Sequence, residues 1–333
     1  MRTSDFDYPL PAELIAQTPA EPRDSARLLV IHRNSGELEH RVFRDLGEYL
    51  RPNDVLVRND TRVVPARLRG RKAGTGGKVE ALLLRPREPT VWEALVKPAG
   101  RIKPGHFIEF GSVTAEVVEA LPEGTRLLRF PQGVSPDHMG ETPLPPYIHE
   151  PVADPERYQT VYAREPGSAA APTAGLHFTP ELLAKLQACG VEVVSLTLHI
   201  GLDTFRPVRH EDPREHGIHQ EFYHLDTDAA ARLVEARQAG KRLVCVGTTS
   251  VRALEDAARR SFEPYAGLTG LYILPGFEFK AAGAMITNFH LPRTTLLMLV
   301  SAFAGRDLIL RAYQEAARLR YRFYSFGDAL LIL

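Results

Sequence analysis

The feature that most constrains this 333-residue chain is a change of texture that begins near Val64 and ends near Pro146. Within it, short β-rich runs follow one another: Lys78 to Leu84, Val91 to Val96, His106 to Phe110, Val113 to Glu119 and Thr125 to Phe130. Turn residues separate them, among them Gly74-Thr75-Gly76-Gly77, Pro98 to Gly100 and Pro122-Glu123-Gly124. No long helical pattern intervenes, so the block reads as a small antiparallel barrel or sandwich. The Gly74–Gly77 run precedes a strand where a dinucleotide fingerprint needs a helix, so it is read as a hairpin turn.

On both sides of the block, strands and helices alternate. Leu28 to His32 and Glu37 to Val42 read as a strand and its return, and Asp54 to Arg58 as another. Helical spacing is expected over Pro11 to Gln17 and Phe43 to Leu50. After the stiff connector Thr142 to Tyr147, Thr179-Pro180 opens a helix that Gly190 ends. Val191 to Ile200 and Lys241 to Val246 are strand patterns, as are Leu271 to Leu274 and Ala284 to Thr287. Thr227 to Ala239, Val251 to Arg260, Leu296 to Ala304 and Asp307 to Arg320 are helical. The expected fold class is therefore α/β. A mixed-sheet domain of residues 1–63 with 148–333 is interrupted by an inserted small antiparallel β-barrel, residues 64–147.

Composition excludes several classes. Lys and Arg balance Asp and Glu at 41 each, so nucleic-acid binding would need a local basic patch. One such run exists: Arg58, Arg62, Arg67, Arg69, Arg71 and Lys72 stand against the single acid Asp60. It reads equally as a phosphate-binding surface or as a solvated strand edge. The two cysteines, Cys189 and Cys245, form no CxxC pair, which argues against zinc ribbons and iron–sulfur clusters. With no signal-peptide pattern and no apolar run of membrane length, a soluble cytoplasmic protein is expected.

Three segments bring polar chemistry to the ends of secondary elements. Ala169 to Phe178, AAAPTAGLHF, delivers Thr173, Gly175 and His177 just ahead of a helix. Gly247-Thr248-Thr249-Ser250-Val251-Arg252 is strand, small polar turn and helix; it lacks P-loop spacing but offers amides and three hydroxyls to an anion. Plain helix capping explains one of those hydroxyls, not three in a row. Thr287-Asn288-Phe289-His290-Leu291-Pro292 again ends a strand, with an amide for a base edge and an imidazole that could move a proton. The first and third loops also fit a packed turn with a satisfied histidine. His210, His216, His219 and His224 crowd one stretch, but no third ligand has diagnostic spacing, so no metal site is expected.

Taken together, the segments resemble the S-adenosylmethionine:tRNA ribosyltransferase-isomerase family of queuosine biosynthesis. The resemblance runs over essentially the whole length. It is carried by Asp5-Phe6-Asp7, Asn59 to Val63, Pro65 to Leu68, Tyr158 to Tyr162, Ala170 to Phe178, Thr197 to Gly201, Thr204 to Val208, Val246 to Arg252, Thr287 to Pro292, and Tyr321-Arg322-Phe323 with Gly327-Asp328. Gly270 departs from an Asp of the family, and Leu274 from an aromatic.

The resemblance implies a ribosyl donor role for S-adenosylmethionine, consumed as a co-substrate, with no true cofactor and no metal. The acceptor would be the 7-aminomethyl-7-deazaguanine (preQ1) wobble base of tRNA, and the products epoxyqueuosine-tRNA, adenine and methionine. Such chemistry needs a base beside the sulfonium and a hydrogen bond or proton for the departing adenine. His177 and His290 are the candidate proton-transfer groups and Asp60 an alternative base. Thr173, Gly175, His199, Arg206, Thr248, Thr249, Ser250, Arg252 and Asn288 are the candidate substrate-binding residues. The basic run from Arg58 to Lys72, with the C-terminal arginines, is the candidate tRNA surface. A monomer with no membrane partner is expected. The competing readings are a tRNA methyltransferase and a non-catalytic tRNA-binding module.

Overall fold

A computed structural model describes the chain except residues 137–138, 146, 151–153, 202–207 and 219. The chain divides into two compact units. One comprises Met1–Thr61, Pro145–Glu165 and Ala171–Leu333; the other comprises Arg62–Leu144 and Pro166–Ala170.

The larger unit is built on a nine-stranded mixed sheet. Its spatial order is Tyr265–Thr269, Glu221–Leu225, Glu192–Leu198, Asp54–Asn59, Arg242–Val246, Ala282–Asn288, Ala329–Ile332, Arg27–Ile31 and Leu38–Val42. The four strands from Glu192–Leu198 to Ala282–Asn288 run parallel to one another. Strands covered on both faces should be apolar throughout, and Val55-Leu56-Val57, Leu243 to Val246 and Ala284 to Ile286 are. Leu28, Val30, Leu56, Val244, Val246, Ala284, Ile286 and Leu331 form one core cluster with Phe43, Leu46, Phe178, Leu182 and Leu186.

The helices begin where the chain supplies caps. Thr179 accepts from the Leu182 amide at 3.1 Å to open Pro180–Ala188, and Asp226 accepts from Ala229 at 2.8 Å to open Thr227–Gln238. Thr294 likewise opens Thr295–Ala304. No helix among the described residues is long and apolar enough to cross a membrane.

The local expectations need correction at several points. Pro11 to Gln17 holds only the 3-10 turn Ala12–Leu14, and Phe43 to Leu50 folds as the 3-10 turn Phe43–Glu48. In the latter, Phe43 and Leu46 are buried three residues apart, the spacing at which a 3-10 turn aligns side chains. Leu271 to Leu274 is not a strand; the strand is Tyr265–Thr269, and the Thr269 hydroxyl accepts from the Leu271 amide as the chain leaves it. Ala329–Ile332, with no alternating pattern to announce it, lies inside the sheet.

The smaller unit contains a closed six-stranded antiparallel barrel. Around it run Thr125–Arg129, Val91–Lys97, Lys78–Glu88, Arg67–Lys72, Phe107–Phe110 and Val113–Ala120. Val79, Ala81, Leu83, Ala94, Val96, Ile108, Ala115, Val117 and Leu128 are buried. The basic run supplies a barrel strand: Leu68 is buried, while Arg69 and Arg71, one residue to either side of Gly70, are exposed.

Candidate active site

Three chain segments meet at the carboxyl ends of the central strands. Strand Arg242–Val246 leads through Gly247 into helix Thr248–Arg259. Gly247 has φ 87°, a left-handed conformation that a side chain would oppose. Helix Thr248–Arg259 starts three residues earlier than its sequence pattern indicates, so the polar turn is the helix's own first turn. Ser250 Oγ donates to the Val246 carbonyl at 2.7 Å and is engaged within the fold. Thr249 Oγ1 accepts from Asn59 Nδ2 at 3.4 Å. The first-turn amides remain without intrahelical partners, as at any helix start.

Strand Ala282–Asn288 ends in the second segment. Thr287 Oγ1 lies 2.9 Å from His290 Nε2, and the His290 amide donates to Tyr313 Oη at 3.1 Å. Tyr8 Oη donates to the His290 carbonyl at 2.5 Å. Ring and backbone of His290 are therefore both fixed. Burial pulls its pKa down to about 3, so the imidazole is neutral at physiological pH.

The third segment, Thr173–His177, forms a 3-10 turn. Thr173 Oγ1 donates to Asn288 Oδ1 at 3.0 Å, and Asn288 Nδ2 donates to His177 Nε2 at 3.1 Å. The His177 ring packs on Phe43 with centroids 5.0 Å apart. Burial, with smaller contributions from Arg322 and Arg23, lowers its pKa to about 3. A Cβ on Gly175 would stand 2.1 Å from Tyr162 Oη and 2.8 Å from Thr160 Cγ2. Gly175 thus serves close packing beneath the turn.

These segments wall a small open cleft. Thr173, Gly247, Thr248, Thr249, Asn288 and His290 line it. Tyr324 and Ser325, which sequence reasoning did not single out, line it too. Tyr324 holds φ 72°, unusual for a bulky residue, and its amide donates to the Phe289 carbonyl at 3.1 Å. Its ring lies 4.0 Å from that of Tyr147, whose hydroxyl hydrogen-bonds Ser325 Oγ. The flanking Tyr321-Arg322-Phe323 and Gly327-Asp328 motif was the available signal.

Two walls of the cleft are joined away from its mouth. Glu255, fully buried in helix Thr248–Arg259, accepts from the Lys280, Ala281 and Ala282 amides at 2.8, 2.9 and 2.9 Å. Those amides lie at the start of the strand that ends at Asn288.

Other candidates lie off the cleft walls. Asp60 accepts from Thr197 Oγ1 at 2.7 Å and pairs with Arg164 at 3.0 Å; burial raises its pKa against those partners. His199 Nδ1 is 2.7 Å from Thr61 Oγ1, and its ring stacks on Phe222. Burial lowers the His199 pKa. Arg252 is buried against Glu221, and its Nε donates to the Leu271 carbonyl at 3.1 Å. Its Nη1 pairs with Glu221 inside the fold, away from the residues that line the cleft. Arg206 and His219 lie outside the described residues. Among the described residues, no cluster of His, Cys, Asp or Glu could hold a metal ion.

Much of the basic run is engaged within the fold. Arg58 is half-buried, with its guanidinium 4.3 Å above the Tyr162 ring and its Nε donating to Ser195 at 3.1 Å. Arg62 is half-buried on Thr61–Val63. Arg67 donates to the Leu144 carbonyl at 2.8 Å, and Lys72 Nζ lies 3.3 Å from His106 Nε2. Arg69 is exposed and pairs with Glu141 at 3.1 Å, and exposed Arg71 donates to the Gly76 carbonyl at 3.3 Å.

Comparison with known proteins bears on this cleft. Residues 3–332 match the family model described as "Queuosine biosynthesis protein". A protein of Symbiobacterium thermophilum named S-adenosylmethionine:tRNA ribosyltransferase-isomerase is 58% identical, with all of both chains covered. One of the same name from Desulfitobacterium hafniense is 55% identical, also over all of both chains. The crystal structure of S-adenosylmethionine tRNA ribosyltransferase from Thermotoga maritima is similar, with a TM-score of 0.59 and 43% identity. That match covers 99% of this chain and 100% of the other. At this identity over the full length, the chain belongs to the queuosine biosynthesis family of S-adenosylmethionine:tRNA ribosyltransferase-isomerases and is a transferase/isomerase enzyme.

Proposed function

We propose that the enzyme transfers and isomerises the ribosyl moiety of S-adenosylmethionine onto the preQ1 wobble base of tRNA, releasing adenine and methionine and leaving epoxyqueuosine-tRNA. The observation that carries this reading is the convergence of Thr173, Thr248, Thr249, Asn288 and His290 on one cleft. Each comes from a segment on which the family resemblance rests.

The roles follow from the chemistry. The amides at the start of helix Thr248–Arg259 suit the methionine carboxylate. The Tyr324 ring, with its aromatic face, suits the sulfonium. His290 is the imidazole on the cleft wall, and among the described residues its ring is hydrogen-bonded through Nε2, to Thr287, and not through Nδ1. With the proton on Nε2 and donated to Thr287, Nδ1 carries the lone pair that can take the proton beside the sulfonium. Asp60 is the alternative base, held by Thr197 and Arg164. The unstacked wobble base of a tRNA loop can enter such a cleft without breaking a duplex. Exposed Arg69 and Arg71 are the proposed phosphate contacts.

One product assay tests the reading. With preQ1-containing tRNA and S-adenosylmethionine, free adenine and methionine are expected. S-adenosylhomocysteine would identify a methyltransferase, and tRNA binding with neither product would identify a binding module.

A further inference from the structure

His177 is buried, and among the described residues its Nε2 meets the cleft through Asn288. An Asn amide has two donors and an acceptor with two lone pairs. Here one N–H goes to His177 Nε2 and one lone pair receives the Thr173 hydroxyl. With Nδ2 facing His177 and Oδ1 facing the Thr173 hydroxyl, His177 Nε2 is the acceptor and carries no proton. Among the described residues no other side-chain hydrogen bond engages the Asn288 amide, so one N–H and one lone pair are left over on a residue that lines the cleft. An asparagine edge of that kind matches a purine edge offering an adjacent donor and acceptor.

We propose that His177 is a positioning residue: it fixes the Asn288 amide so that Asn288 presents a paired donor and acceptor to a purine edge of the substrate. The inference rests on the function proposed above but not on its details. The two purine-type edges available are the adenine of S-adenosylmethionine and the deazaguanine of the tRNA, and both carry the required pair. His177 itself transfers no proton in this scheme, because Asn288 stands between it and the reacting groups.

Two substitutions separate positioning from proton transfer. His177→Gln retains an acceptor at about the reach of Nε2 and cannot act as an imidazole base; His177→Phe retains the ring packed on Phe43 and loses the acceptor. For positioning, His177→Gln should keep turnover within roughly fivefold, and His177→Phe should lose about tenfold or more. In an Asn288→Ala background, His177→Phe should then cost nothing further. Affinity for S-adenosylmethionine measured without tRNA, against the KM for tRNA, tells which purine edge is read. Equal collapse of both His177 variants, or full additivity with Asn288→Ala, would overturn the proposal. A second readout needs no turnover: nitrogen-15 NMR of the folded protein should show His177 with Nε2 bare and Nδ1 protonated near neutral pH. Protonated Nε2 would overturn the proposal even in an inactive preparation. If the wild type turns over while the cycle is additive, only this inference fails; if the wild type releases no adenine, the proposed function fails and the NMR result still judges the inference.

Discussion

Buried polarity is used differently in the barrel core and at the ends of the sheet's central strands. In the barrel, Arg126 is buried, and its donors end on main-chain carbonyls of Ile102, Thr125 and Ala99 at 2.8, 2.7 and 2.6 Å. Its charge is absorbed into closing loops. In the sheet unit, Asn59, Thr248, Thr249, Thr287, Asn288 and His290 are buried together near strand ends, and all but Asn59 line a cleft. A buried polar group whose capacity is fully used holds a fold together, whereas one with capacity left over is equipped to meet a ligand. The difference assigns scaffolding to the barrel core and chemistry to the strand ends.

The contrast breaks most easily at His290. His290→Ala should lower the rate of adenine release about a hundredfold or more while S-adenosylmethionine affinity changes little. Near-normal turnover would move the base elsewhere, with Asp60 next in line. On the other side, Leu128→Ala in the barrel core should cost about 2–5 kcal/mol of stability, read by denaturant unfolding, and leave S-adenosylmethionine affinity unchanged. A loss of affinity there would show that the barrel is more than a scaffold.

Acid sharpens the comparison further. His177 and His290 titrate near 6.5 when unfolded and near 3 when folded. The unfolded chain therefore binds protons that the folded chain refuses. The stability these groups contribute is present above about pH 6.5 and is lost as pH falls toward 3, by up to about 1.4 kcal/mol per pH unit for each. His177→Phe should flatten the acid limb of a stability-against-pH curve relative to wild type; an unchanged slope would mean that His177 is not buried as a neutral ring.

The smallest effect belongs to the barrel surface. Replacing Arg69 and Arg71 together by Ala should weaken tRNA binding and reduce its salt dependence by about one to two counterions. An unchanged salt slope would place the tRNA footprint elsewhere. Arg58→Ala should act on stability, because its guanidinium rests on Tyr162.

The sequence was most readable where local chemistry and final structure agree. Thr179-Pro180, Gly190 and Thr294 mark helix ends with side-chain and backbone needs that no tertiary contact alters. The barrel strands were legible because turn residues punctuate them. The strand Arg67–Lys72 was recognisable as a charged edge, but its role in closing the barrel depends on partners distant in sequence. Ala329–Ile332 reads as any apolar stretch, and only its pairing with Arg27–Ile31 and Ala282–Asn288 makes it a strand. At the cleft, the residue types of all three loops were visible from the start. What the sequence could not rank was access: His177 and His290 are both buried imidazoles with similar pKa values, yet one lines the cleft and the other stands behind an amide. Tyr324 was missed because its importance lies in a backbone angle, not in a motif.

Glu255 has a mechanical consequence. Its two oxygens tie the helix that begins at Thr248 to the first residues of the strand that finishes at Asn288. That strand is also paired with Arg242–Val246, which feeds the same helix. Strand, helix and carboxylate close a triangle, so the gap between Thr248 and Asn288 behaves as a fixed gauge set by the fold itself. A ligand entering it orders little of the surrounding chain and so forfeits little affinity to entropy. The cost of that rigidity is tolerance: ligands are sorted by whether they match the gap, since the walls have little slack with which to meet them.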